Sequence, residues 1–205
     1  MTSGSATRRA RERQEILSRV RDRQHRAGRL RRIGIWGAVA VVAVAVVAAA
    51  LRSARPTESA EERVAPDFTL SDSVGGSVTL SDLLGSPVLL YFSEGAGCDA
   101  CIVQQARIEA EPGFTDDDVT VLPIVMNTAE QINADRLRLG ARAPFLLDDG
   151  TVSQAYDTIG TGMHEGLPGH GFVLVDAEGN QVWKADYPSM WIDPAELLGI
   201  VRDKL

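Results

Sequence analysis

Ile33 to Leu51 is an unbroken run of nineteen uncharged residues, mostly Val and Ala, with Arg29, Arg31 and Arg32 against one end. A helix needs about 20 apolar residues to cross the hydrocarbon core of a bilayer, so this run predicts a transmembrane helix over 33–51. Downstream the apolar segments are shorter. Phe68–Leu70 and Ser77–Leu80 flank Gly75-Gly76 and predict a β-hairpin. Ser81–Gly85 reads as a helical turn. Pro87–Ser93 is a continuous apolar run bounded by turn residues, as expected of a strand buried on both faces. A glycine-rich bend, Gly95-Ala96-Gly97, leads into a helix from Cys98 to Glu111 that Pro112-Gly113 should stop. A second buried strand (119–126) and a helix (129–139) follow, then Phe145–Leu147 and a short helix near 152–156. Strands over 172–175 and 181–184 meet at Glu178-Gly179-Asn180. A last helix runs from Pro194 to Lys204 behind Asp193 as N-cap. Strands alternating with helices predict an α/β domain with a mixed central sheet.

Charge divides the chain where hydropathy does. Residues 1–32 carry eleven arginines against Glu12, Glu15 and Asp22, whereas the rest has ten basic and 25 acidic residues. The positive-inside rule then keeps the N-terminus in the cytoplasm and sends everything after Leu51 outside. A cleaved signal peptide is the alternative, but its apolar region usually spans about 7–15 residues behind a short basic region. The division that results is a basic cytoplasmic arm (1–32), a transmembrane helix (33–51), a polar linker (52–65) and a folded domain (66–205). The arm lacks interleaved aromatics, so a nucleic-acid partner is not expected.

The candidate chemistry lies in the only two cysteines, spaced Cys98-Asp99-Ala100-Cys101. They follow a buried strand and open a helix, whose N-terminal N–H groups and partial positive charge stabilise a thiolate at Cys98. Thiolates attack disulfides, and Cys101, one turn on, can reach the first sulfur and displace what it holds. A structural zinc site needs four ligands, and outside the membrane only His164 and His170 could join the cysteines. Haem attachment would need a histidine where Ile102 stands. A structural disulfide closing so short a loop contributes little stability. Asp99 places a carboxylate beside the thiolate, which disfavours its charged form and predicts a reducing dithiol. Trp183, Tyr187, Met190 and Trp191 predict core and cover packing, with a docking rim as the alternative.

Ala65-Pro-Asp-Phe-Thr-Leu70, the run Leu80–Phe92, the CxxC and Gly171-Phe-Val-Leu-Val-Asp-Ala-Glu-Gly179 resemble the TlpA/ResA-like and AhpC/TSA-related redoxins, which are membrane-anchored thioredoxin-fold proteins of bacteria. The resemblance covers residues 66–205. It implies a thioredoxin-like fold with an added N-terminal hairpin, and thiol–disulfide exchange with protein partners. No cofactor is implied, and a membrane thiol carrier would supply electrons. It also implies Cys98 as nucleophile and Cys101 as resolving cysteine. Gly97 stands where the family usually has Trp, which widens access to the sulfur. The family's cis-proline slot falls on His170, with Pro168 two residues earlier, so substrate contact is expected from Gly97 and Pro168. His170 is expected beside the sulfurs, where its protonated ring would stabilise the Cys98 thiolate.

Two other functions remain open. A thiol peroxidase would carry Pro-x-x-x-Thr/Ser-x-x-Cys, but against Cys98 those positions are Tyr91 and Gly95. Against Cys101 they are Glu94 and Cys98. A copper-delivery protein could use the two cysteines with Met163, His164 or His170.

Overall fold

In this computed structural model, residues 32, 34–53, 55–59, 62–160 and 165–205 are described. The basic arm therefore lies almost wholly outside the described residues. Helix α1 (Gly34–Ser53) realises the apolar run and is long and apolar enough to cross a membrane. It belongs to a first unit, Met1–Ser53, while Ala54–Leu205 forms a second.

The second unit is a mixed sheet with helices on its faces. Its strands are β1 (Thr57–Ser59), β2 (Arg63–Val64), β3 (Thr69–Asp72), β4 (Ser77–Thr79), β5 (Val88–Ser93), β6 (Thr120–Val125), β7 (Leu146–Leu147), β8 (His170–Val175) and β9 (Asn180–Asp186). They lie in the order β1-β9-β8-β5-β6-β7-β3-β4, with β2 also paired to β9. Only β5–β6 and β6–β7 pair in parallel, and the hairpin β3–β4 attaches through β7. The helices are α2 (Asp99–Glu109), α3 (Pro112–Asp116), α4 (Ala129–Leu139), α5 (Thr151–Ala155) and α6 (Pro194–Lys204), with a 3-10 turn at Leu80–Leu83. This is the mixed α/β sheet the pattern predicted and the thioredoxin-like arrangement the resemblance implied.

Strand β5 is central because every one of its residues is apolar enough, or small enough, to be buried. Leu89 and Tyr91 face one core with Ile108, Phe172, Trp183, Leu197 and Val201. Val88, Leu90 and Phe92 face the other, with Phe68, Ile124, Val173 and Tyr156. A third cluster, Ile102, Val125, Ile132, Ala141 and Phe145, closes around the far end of β6. Helix α4 is framed by a capping box, in which Thr128 and Gln131 exchange side-chain and backbone hydrogen bonds.

Two expectations need correcting. The linker carries structure: Thr57–Ser59 and Arg63–Val64 pair antiparallel with β9. The free edge of β9 offers unpaired N–H and C=O groups, and Arg63 Nε donates to Gln181 Oε1 at 3.2 Å. These edge segments are solvated and polar, so no hydrophobic alternation advertised them. Pro112 also starts a helix after α2 has ended: it occupies the first turn of α3, where a missing N–H costs nothing.

Candidate active site

Strand β5 delivers the chain to a loop whose backbone is held donor by donor. Ala96 N donates to Asn127 Oδ1 at 2.9 Å, Gly97 N to Asp135 Oδ2 at 3.2 Å, and Cys98 N to Gly95 O at 3.0 Å. Gly95 has φ +73°, and a Cβ there would lie 2.7 Å from Val125 Cγ1 and closer still to Asn127 Oδ1. No side chain fits. Gly97 also has positive φ, but among the described residues a Cβ there would meet nothing within 4 Å.

Cys98 is the N-cap of α2, and its Sγ accepts from Cys101 N at 3.3 Å. The two cysteines are disulfide-bonded, with Cα atoms 5.4 Å apart. Cys98 is half-buried and Cys101 is fully buried. When the bond is reduced, the sulfur at the cap faces the positive end of an eleven-residue helix, which favours its thiolate. Its neighbour sits in the first turn, out of reach of an incoming molecule.

A charged flank borders this helix end. Arg138 on α4 donates to both carboxylate oxygens of Asp99, at 2.6 and 3.1 Å, and to Asp135 Oδ1 at 2.9 and 3.3 Å. Hydrogen bonds from this guanidinium hold both carboxyls below the usual carboxylate range, with the backbone N–H of Gly97 adding to the effect at Asp135. Asp99 thus does not act on Cys98 as the lone carboxylate the sequence suggested. Arg138 and Asp135 were missed in the sequence. Their i,i+3 spacing was visible, but not the packing of α4 against α2.

The other flank is dry. His170, the first residue of β8, pairs with Ser93 at the end of β5 and is 2% exposed. Its Nδ1 lies 3.1 Å from Tyr91 Oη, which donates to Cys101 O at 3.1 Å. Tyr91 is fully buried and stacks on Phe172 with ring centroids 4.7 Å apart. Burial lowers the His170 pKa to about 4, so with the disulfide closed its ring is neutral at neutral pH. His170 is instead buried against Tyr91, whose hydroxyl bonds Cys101 O, and its pKa is lowered by burial. Burial penalises the charged ring, and among the described residues no carboxylate is hydrogen-bonded to it.

Pro168, two residues before β8, is buried, forms an isolated antiparallel bridge with Ile159 and follows a trans peptide bond. Met163 and His164 lie outside the described residues. Among the described residues no three His, Cys, Asp or Glu side chains converge on a common point. Behind His170 opens a cavity of about 310 Å³ shared with Asp186, Tyr187 and Met190. A larger one, about 500 Å³, lies between Pro66–Ser71 and Leu147–Tyr156 and is lined by neither cysteine. Trp183 and Tyr187 are core residues, and Trp191 is 41% exposed.

A model of the AhpC/TSA family matches residues 62–183. The chain belongs to the AhpC/TSA family. This makes it a thiol-based oxidoreductase of the redoxin type. The AhpC/TSA chain is 31% identical over 124 residues to a Mycobacterium tuberculosis H37Rv protein named as a candidate peroxiredoxin, covering 58% of this chain and 79% of that protein. Its fold matches the peroxidoxin BcpB of M. tuberculosis with a TM-score of 0.59 at 20% identity, over 69% of this chain and 95% of that one. It also matches a candidate protein disulfide isomerase from Bacteroides thetaiotaomicron, with a TM-score of 0.54 at 25% identity, over 70% of this chain and 88% of that one. In this AhpC/TSA chain, the position three residues before Cys98 is Gly95, which has no hydroxyl. The position seven before it is Tyr91, whose hydroxyl bonds Cys101 O and contacts the ring of His170.

Proposed function

We propose that the protein exchanges disulfides with protein substrates through Cys98 and Cys101. In this reading α1 tethers the domain to a bacterial cytoplasmic membrane, with the N-terminus inside and the cysteines outside. One observation carries it: a half-buried sulfur at a helix cap is joined to a fully buried sulfur in the next turn. In the reducing direction, the Cys98 thiolate attacks one sulfur of a substrate disulfide. A bond forms between them, the substrate S–S bond breaks, and the leaving thiolate takes a proton. Cys101, having lost its proton, attacks Cys98 Sγ and expels the second substrate thiolate. Two electrons pass from the dithiol to the substrate, and the Cys98–Cys101 bond is formed. A membrane thiol carrier then returns two electrons.

The non-cytoplasmic placement rests on the arginines before α1 and on a compartment in which dithiols cycle with disulfides. The full chain in detergent should reduce a protein disulfide when supplied with a dithiol donor. Cys101→Ser should accumulate mixed disulfides through Cys98, and their absence would refute the exchange reading.

The peroxidase reading is favoured by the names of the relatives. It predicts that one equivalent of hydrogen peroxide is consumed in a single turnover of the reduced chain. The Gly95 and Tyr91 positions argue against fast consumption, because no hydroxyl three residues before Cys98 is available to orient the peroxide.

A further inference from the structure

We infer that Arg138 is a positioning and charge-balancing residue for Cys98, and that it tunes this thiol by neutralising Asp99. The carboxylate of Asp99 immediately follows the reactive sulfur in the chain, and Arg138 grips both its oxygens from a different helix. The same guanidinium bonds Asp135, whose other oxygen accepts from Gly97 N, directly before Cys98. The result is a closed circuit: Cys98, Asp99, Arg138, Asp135, Gly97 and back to Cys98. It carries one cation and two anions. Removing Arg138 leaves two unpaired carboxylates around the sulfur, whereas removing Asp99 leaves a neutral pair.

The other titratable groups on the surrounding elements are few. Glu94 stands in the loop itself. His170 on β8 is neutral and lies on the opposite flank, against Tyr91. His170 takes no part in the circuit. The positive end of α2 favours a Cys98 thiolate, and Arg138 prevents Asp99 from cancelling that effect.

This inference concerns the cysteine that the proposed exchange uses, but its test reads the thiol and needs no disulfide substrate. Failure of either idea therefore leaves the other standing. The reduced full chain in detergent is alkylated with iodoacetamide across pH, in a Cys101→Ser background, to give the Cys98 pKa. Arg138→Ala should raise that pKa by about half a unit to one unit, slowing alkylation below the pKa by about threefold to tenfold. Asp99→Asn should lower it. The double variant should return close to the starting value, because it keeps a single carboxylate and no cation. In the wild-type background, Arg138→Ala should make the dithiol more reducing by up to about 30 mV, the equivalent of a tenfold change in the exchange constant. Raising the salt concentration should shrink both shifts. If Arg138 only fastened α2 to α4, the double variant would behave like Arg138→Ala. That result, or an unchanged pKa in Arg138→Ala, would overturn the inference. Asp99→Asn removes an exposed side chain and keeps the test readable even if Arg138→Ala weakens the fold.

Discussion

The two flanks of the disulfide differ in kind. On the α4 side, Asp99, Arg138 and Asp135 form a solvated charged circuit beside Cys98, the sulfur that incoming molecules can reach. On the β5–β8 side, Tyr91, His170 and Phe172 form a dry aromatic wall beneath Cys101. The difference separates two tasks on one helical turn. A charged and hydrated surround can adjust how readily the outer sulfur ionises. A dry one hides the inner sulfur and holds its backbone in place, so that in the proposed exchange it meets only what Cys98 has already captured.

The largest effect should come from making the two sulfurs unequal by mutation. Cys98→Ser should lower disulfide reduction at least about a hundredfold, because it removes the attacking thiolate. Cys101→Ser should still capture substrate and stall. A coupled assay with a protein disulfide, together with non-reducing electrophoresis, separates the two outcomes.

The dry flank should then reveal itself through pH. His170 keeps its proton less tightly in the native state, at a pKa of about 4, than in the unfolded chain near 6.5. The unfolded state therefore binds more protons between those values, and stability falls as pH drops from about 6.5 towards 4. The full contribution is about 3 kcal/mol. Asp186, whose pKa is raised by burial, pulls in the opposite sense near the acid end. Comparing urea midpoints of wild type and His170→Gln across this window cancels that term. Equal pH slopes for the two proteins would show that the ring is not held neutral.

The charged flank depends on the loop that presents Cys98. Gly95→Ala forces a side chain into Asn127 and Val125 at a positive φ, and should cost about 1–3 kcal/mol in urea unfolding. Gly97→Ala shares the backbone strain but meets open space, so it should cost less. Tyr91→Phe gives the smallest change. It removes one buried hydroxyl and its bonds to Cys101 O and His170, worth about 1 kcal/mol. Thermal unfolding of the oxidised chain would measure it.

The outline of this protein was legible wherever burial follows chain periodicity. The run Pro87–Ser93 read as a strand covered on both faces, and β5 is one. Asp193 marked a helix start, and Cys98 opened the helix foreseen for it. The apolar stretch after Arg32 was equally plain, because length and composition alone qualify a helix to span a bilayer. The two edge segments of the linker were not legible, since a solvated strand on a sheet margin needs no apolar alternation.

The sequence by itself thus determined the α/β order of elements, the apolar helix and the cysteine pair at a helix start, because these follow from local periodicity and spacing, while the thioredoxin-like fold was implied by the resemblance of its motifs. Only the tertiary structure decided what surrounds the sulfurs. Arg138 is 39 residues from Asp99, and His170 is 79 from Tyr91. Charge pairing and desolvation depend on distance in space, which a linear pattern does not record. That is why His170 proved to be buried, with its pKa pushed down by desolvation, and why Asp99 proved to be already paired.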